Sequence, residues 1–146
     1  MRNVTKIKLT EKELKNISKL ADLIDLISDL ACGEMHCGKL IARAEDENTK
    51  KLWSNIKKEL RLMRTRKMRE IFPHTLEGKV QEREDWCLAK HTIRAYNEFT
   101  ELGDKELSSG DVDKAIEDFN SSWECIKIIM LIKRLIEEES KIKKRR

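Results

Sequence analysis

Residues 10–44 read TEKELKNISKLADLIDLISDLACGEMHCGKLIARA. Thr10 with Glu13 three residues later is the pattern of a capping box, and Leu9 and Leu14 are placed to form a hydrophobic staple. Apolar residues then recur with the helical period of about 3.6 residues: Leu20, Leu23, Ile24, Ile27, Leu30, Ala31, Met35, Ile41 and Ala42. The sequence predicts a helix from Glu11 to about Ala44, in which Gly33 and Gly38 are the positions where a kink or break can occur.

Three more helices follow. Asp46 or Asn48 can cap helix 2, and Pro73 ends it. Helix 3 is expected from about Val80 to Leu107, and a turn at 108–111, which ends in the N-cap residue Asp111, separates it from helix 4. The inward line of helix 2 is predicted to be Leu52, Trp53, Ile56, Leu60, Met63 and Ile71. That of helix 3 is Trp86, Ala89, Ile93, Tyr96 and Phe99, and that of helix 4 is Ala115, Ile116, Phe119, Trp123, Ile126, Ile129, Met130 and Ile136. Short connections make neighbouring helices antiparallel. We therefore expect an all-α fold, an antiparallel bundle of about four helices in which helices 1 and 4 are long.

The composition supports one helical domain. With 146 residues, the chain matches a single domain, and one Pro and 5% aromatic residues leave few turn formers and strand formers. We expect residues 1–146 to form one bundle, with an N-terminal arm at 1–9 and a basic tail at 140–146.

Charge and hydropathy limit the functional classes. The net charge of +4, from 31 basic and 27 acidic residues, is too even to indicate nucleic-acid binding by itself. Residues 1–30 lack the leading apolar stretch of a signal peptide, and the longest apolar run, 126–136, contains three cations and is too short to cross a bilayer. The expectations are a cytoplasmic protein without a membrane or cofactor, and four cysteines that are small reduced thiols.

Part of the second half has the spacing of a known repeat. An aromatic, a Leu and a Gly are followed by a small, an aromatic and a second small residue: Phe99, Leu102, Gly103, Ala115, Phe119 and Ser122. From Tyr96 to about Ile129 the chain thus resembles a single tetratricopeptide helical hairpin. It departs from the repeat at Glu106, where an aromatic residue is usual, and in lacking the final Pro. Only one copy is visible, whereas stacked repeats need about three, so a closely packed hairpin is the alternative interpretation.

The stretch from Ser109 to Lys127 also resembles the second helix of the HEPN family, small four-helix domains that include RNA-cleaving enzymes. The catalytic signature of that family is Arg, four to six residues, then His, which Arg69 and His74 satisfy. The resemblance would imply a ribonuclease. Here, however, the signature precedes the hairpin instead of following it, and Pro73 places His74 after the helix.

Two Cys-x-x-x-His pairs are candidate zinc ligands: Cys32 with His36, and Cys87 with His91. Residues four apart share a helix face, so two facing helices could supply a Cys₂His₂ tetrahedron. Cys32 and His36 nevertheless lie opposite the apolar line of helix 1, which favours a protein that folds without metal.

Glu34 points into the apolar face of helix 1. A buried carboxylate without a partner is costly, so Glu34 should be paired or protonated. Arg64 and Lys67 lie on the inner side of helix 2 and can reach it. A structural ion pair is the expected outcome.

Two surfaces lead to the main hypotheses. Helix 4 has apolar residues off its inner face, Ile128, Leu131, Ile132 and Leu135, which suggest a non-enzymatic interaction protein that binds a protein partner or a second copy of itself. Helix 2 carries a basic ridge that, with the tail, suggests a nucleic-acid-binding accessory protein; its candidate phosphate contacts are Arg61, Arg66, Arg69, Lys143, Lys144, Arg145 and Arg146. An ordinary solvated face is the alternative for the ridge, and a HEPN-like ribonuclease is the third hypothesis.

Overall fold

A computed structural model describes residues 8–73 and 84–146. Within these residues the chain forms four helices and no strand: α1 (Glu11–Arg43), α2 (Glu47–Ile71), α3 (Glu84–Ser108) and α4 (Val112–Lys144). The predicted all-α architecture with long first and last helices is confirmed. The start predicted for helix 3, at Val80, lies outside the described residues. None of these four helices combines the length and the apolar character that crossing a membrane requires.

The start of α1 is fixed by the predicted capping box. The Thr10 hydroxyl accepts a hydrogen bond from the Glu13 N–H, and the Glu13 carboxylate accepts one from the Thr10 N–H. Arg134 of α4 also donates to this carboxylate, Nε to Oε2 at 3.0 Å, and this ion pair holds the pKa of Glu13 below its usual value. Leu9 packs against the main core, whereas Leu14 is exposed. One local motif thus also anchors the first helix to the last.

α1 runs without a break through both of its interior glycines. At Gly33, a Cβ atom would lie 3.1 Å from Cδ1 of Leu60, so the missing side chain gives α2 room to pack closely. At Gly38 the nearest atom is the Lys57 ammonium at 4.0 Å. Asp46 caps α2, because its carboxylate accepts hydrogen bonds from the N–H groups of residues 48 and 49.

The molecule consists of two helical hairpins that share one core. α1 packs along α2 and α3 along α4, while contacts between the hairpins run chiefly from α1 to α3 and α4. The core combines the middle of α1, the end of α2, the start of α3 and the second half of α4: Leu20, Ile24, Ile27, Met68, Ile71, Phe72, Trp86, Ala89, Ile93, Ile126, Ile129, Met130, Ile132 and Ile136. Residues 37–64 and 97–125 contribute nothing to this cluster.

The two hairpins extend from the core in the same general direction. Glu13, near the start of α1, pairs with Arg134 late in α4, and Cys32, further along α1, accepts a hydrogen bond from Asn97 of α3. α1 is therefore antiparallel to α4 and parallel to α3. Consequently the turn at 44–46 and the turn at 109–111 lie on the same side of the core.

Two glycines of the second hairpin, Gly110 and Gly103, have different structural roles. Gly110 has a φ of 89°, in the left-handed region that glycine adopts without strain, and Asp111 then caps α4 by accepting from the Lys114 N–H. Gly103 is buried, and a Cβ atom there would lie 2.5 to 2.9 Å from three carbons of the Phe119 ring. The helices can approach this closely only because Gly103 has no side chain.

Replacing Gly103 with Ala should therefore destabilise the protein by about 1–2 kcal/mol, because overpacking outweighs the gain in helix propensity. Gly38→Ala is the matched control. It adds the same methyl group inside a helix but meets only the Lys57 ammonium at 4.0 Å, an ordinary van der Waals contact, so it should stabilise by about 0.5–1 kcal/mol. Urea denaturation midpoints measure both effects. Equal shifts in the two variants would mean that the Phe119 ring moves aside freely.

Candidate interaction surfaces

The ion pair predicted for Glu34 is present and joins α1 to α2. Arg64 donates from Nε to Glu34 Oε2 at 2.5 Å and from Nη2 to Oε1 at 3.2 Å, a bidentate arrangement. Both side chains are largely buried, with 13% and 10% of their surface exposed. Lys57 donates to the Glu34 backbone carbonyl at 2.9 Å. Lys67 pairs instead with Glu70 on its own helix.

These contacts divide the cations of α2 into two sets. Those that face α1 are partnered, as described for Lys57 and Arg64. The outward set is exposed, and no hydrogen bond or ion pair joins its side chains to any residue in the ranges 8–73 and 84–146. We call this set the basic strip: Lys51, Lys58, Arg61, Arg66 and Arg69. Three of the predicted phosphate contacts therefore lie on a surface that the described part of the fold leaves uncompensated.

The basic tail leaves the fold near the end of α2. Lys141 of α4 and Glu70 of α2 line the same cavity. Residues 143–146, at the end of α4, are exposed. Lys143 forms an ion pair with Glu139 at 3.5 Å. The tail thus lies at the end of the molecule where the strip reaches Arg69.

A second surface, which the sequence did not indicate, lies on one side of the first hairpin. Gly33 and Leu60 meet on this side, and Gly38 and Lys57 meet on the other. On α1, Leu26 lies two turns before Gly33 and Leu40 lies two turns after it. On α2, three apolar residues lie on the same side of the helix as Leu60. We call these residues the apolar flank: Leu26, Leu40, Leu52, Ile56 and Met63.

The apolar flank is open to solvent. Its members are 38% to 64% exposed. The α1 residues that meet α3, Asp25 and Cys32, are about 100° around the helix from Leu26 and Gly33, so the second hairpin packs on another side of α1. Leu52, Ile56 and Met63 were predicted to face inward, and that prediction is wrong. The reason is that α2 packs against α1 through a narrow line and has little contact with α3 or α4.

The predicted outer stripe of α4 requires a correction. Ile132 belongs to the main core, and Leu131 is half-buried, whereas Ile128 and Leu135 are exposed. α4 packs against both α1 and α3, so it buries a wider arc than a helix with one neighbour. Ile116 and Trp123, predicted to face inward, are exposed because they lie beyond the shared core.

The candidate zinc ligands are not brought together. Cys32 Sγ accepts a hydrogen bond from Asn97 Nδ2 at 3.2 Å, Cys87 is half-buried, and His36 and His91 are exposed. In the described ranges, no three His, Cys, Asp or Glu side chains are close enough to hold a metal ion. Burial raises the pKa of the Cys32 thiol, with a further contribution from Glu101, which favours the unreactive protonated form.

The catalytic pair suggested by the HEPN resemblance falls partly outside the described residues. Arg69 is exposed on α2, whereas His74 belongs to the segment 74–83 that the structure does not describe. A cavity of about 530 Å³ between α1 and α4 is lined by charges of both signs. Several of these charges neutralise one another, as in the pairs Glu13 with Arg134 and Lys133 with Glu137.

The tetratricopeptide-like positions are arranged as a close hairpin. Gly103, Ala115 and Ser122 are buried between α3 and α4, and Leu102 is exposed. Glu106, in place of the usual aromatic residue, forms an ion pair with Lys114 at 3.6 Å. The neighbouring Asp118 carboxyl raises the pKa of the Glu106 carboxyl.

Comparisons of the chain with protein-family models, with curated proteins and with solved structures found no match. The likeness to a tetratricopeptide hairpin therefore depends on the residues 96–129 alone.

Proposed function

We propose that this protein is a helical interaction protein that self-associates through the apolar flank. The observation that carries the proposal is the exposure of Leu52, Ile56 and Met63, three large apolar residues on one line of α2. Their spacing is that of residues that a helix normally buries. Contiguous apolar patches on a monomer are typical of interaction sites.

Symmetry and charge favour a particular arrangement of two copies. A two-fold axis running along the hairpin places α1 of one copy over α2 of the other and buries both flanks in one layer. α2 has nine basic and three acidic residues, whereas α1 has five basic and six acidic ones. The arrangement therefore keeps the two basic helices apart and sets each against a nearly neutral helix.

The test is the oligomeric state of the protein with and without the flank. The wild type should sediment as a dimer, and the double variant Ile56→Gln with Met63→Gln should be a monomer. Because both side chains are exposed in a single chain, the variant should unfold within about 0.5 kcal/mol of the value of a wild-type monomer. Sedimentation equilibrium and urea denaturation at several concentrations measure these effects.

Leu88→Gln with Leu102→Gln is the matched control. It removes two exposed leucines from the second hairpin and should leave the dimer intact. A wild type that stays monomeric up to about 1 mM would exclude self-association with a useful affinity. Equal loss of the dimer in both double variants would show that general surface hydrophobicity, not the flank, drives association.

A further inference from the structure

The charge of the chain is segregated by helix in a way that its total hides. α2 has nine Lys and Arg residues against three Glu, whereas α3 has three basic residues against six acidic ones. The near-neutral total arises because these regions offset each other. A ligand that meets one face of the molecule therefore meets a much stronger field than the net charge of +4 suggests.

Two further cations of α2 are paired, whereas the basic strip has no partner among residues 8–73 and 84–146. Arg64 forms a largely buried pair with Glu34 at 2.5 Å, and Lys67 forms a partly exposed pair with Glu70 at 3.0 Å. Two of the three acidic residues of α2 lie off the central line of the strip. Glu59 and Glu70 are roughly 80–100° from the line of Lys51 and Arg69 at 100° per residue. Glu47 lies about 40° from this line, and its carboxylate pairs with Lys50 at 3.2 Å.

The strip is a straight and rigid row of charge. At about 100° per residue, Lys51, Lys58 and Arg69 lie within roughly 20° of one line, and Arg61 and Arg66 flank it by about 60–80°. From Lys51 to Arg69 the row measures about 27 Å at the helical rise of 1.5 Å per residue. Three of its five members are arginines, whose planar guanidinium groups match phosphate oxygens.

The chemistry of the strip fits a phosphate backbone and not exposed bases. No aromatic side chain belongs to it, and the one tryptophan of α2, Trp53, is half-buried. Stacking platforms for single strands need exposed aromatic residues. A duplex presents a regular row of phosphates at high charge density, which a rigid row of cations can contact without reading bases.

We propose that the basic strip of α2 binds the phosphate backbone of double-stranded nucleic acid without sequence preference. The exposed tail from Lys143 extends the site at the end marked by Arg69. This surface is separate from the apolar flank, so it is independent of the proposed self-association.

Fluorescence anisotropy with a labelled 20-base-pair duplex tests the proposal. Four contacts from Lys58, Arg61, Arg66 and Arg69 should contribute about −4 to the slope of log Kobs against log salt, which is a loss of about 10²-fold between 50 and 200 mM salt. The variant Lys58→Gln, Arg61→Gln, Arg66→Gln and Arg69→Gln should therefore flatten the slope by about four units, because each lost contact removes about one unit, and leave only the contribution of Lys51 and the tail. Scrambling the duplex sequence should leave the affinity unchanged within about threefold.

The matched control is Lys12→Gln, Lys15→Gln, Lys39→Gln and Lys105→Gln. It removes the same charge from exposed lysines on α1 and α3 and should retain a slope within about one unit of the wild type. A control that binds as weakly as the strip variant would overturn the proposal in favour of diffuse attraction. Absence of wild-type binding at 50 mM salt would overturn it outright. Equal, strip-dependent binding to phosphatidylserine vesicles would replace nucleic acid by anionic surfaces in general.

Discussion

Replacing Arg64 with Met is expected to destabilise the protein by about 3 kcal/mol, because it leaves the buried Glu34 carboxylate without its cation. Glu34 is only 8% exposed overall, and the two hydrogen bonds from Arg64 are the ones that its carboxylate receives from described residues. Lys57 cannot compensate from its present position, since it donates to the backbone carbonyl of Glu34 and not to the carboxylate. Urea denaturation of the variant measures the loss.

Two further variants isolate the cause. Glu34→Leu combined with Arg64→Met should recover most of the loss, because replacing a buried pair by apolar residues is often neutral. Lys67→Met removes an exposed pair on the same helix and should change stability by no more than about 0.5 kcal/mol. If Arg64→Met lowered the stability as little as Lys67→Met does, water would have to reach the Glu34 carboxylate freely. The ion pair of Glu34 with Arg64 would then be a surface contact.

Ile24→Ala should also destabilise the protein by about 3 kcal/mol, within the range for large-to-small changes in a packed core. Ile24 has no exposed surface and lies in the cluster where all four helices meet. The change leaves a cavity at the joint between the hairpins. Because the hairpins share this one cluster, we expect a single unfolding transition at lower denaturant, not the loss of one hairpin alone.

Leu62→Ala is the control for the core variant, since Leu62 is exposed on the outer side of α2. It should alter the free energy of unfolding by about 0.5 kcal/mol or less. Circular dichroism and tryptophan fluorescence should report the same midpoint in each case, because Trp86 belongs to the core and Trp53 and Trp123 lie one in each hairpin. Two separated transitions in Ile24→Ala would contradict the single-core description.

Features that depend on a few neighbouring residues could be predicted from the sequence. The capping box at Thr10 and the caps at Asp46 and Asp111 are local hydrogen-bonding patterns, and all three are present. The inward direction of Glu34 followed from the period of a single helix. Its partner could be narrowed to two cations, but only the tertiary packing decides between Arg64 and Lys67.

Features that depend on how many neighbours a helix has could not be predicted. The period of α2 shows an apolar arc that includes Ile56 and Met63, but it does not show that only part of the arc meets another helix. The opposite error affected Ile132. The sequence assigned it to an outer surface, but α4 has two neighbouring helices, so Ile132 is buried. The basic strip emerged for the same reason, since its separation from Arg64 depends on a contact with α1, 30 residues earlier in the chain.

Both hairpins extend from the core in the same direction. A small rotation of either hairpin at the core therefore moves its far end by a larger distance. α1 continues for 16 residues beyond Ile27, which is about 24 Å at the helical rise. A change of about 10° in the angle between the hairpins at the core would displace the turn at 44–46 by about 4 Å over that length. Small rearrangements among Ile24, Ile93 and Ile129 would therefore be magnified at the far ends and would change the distance between the turns at 44–46 and 109–111.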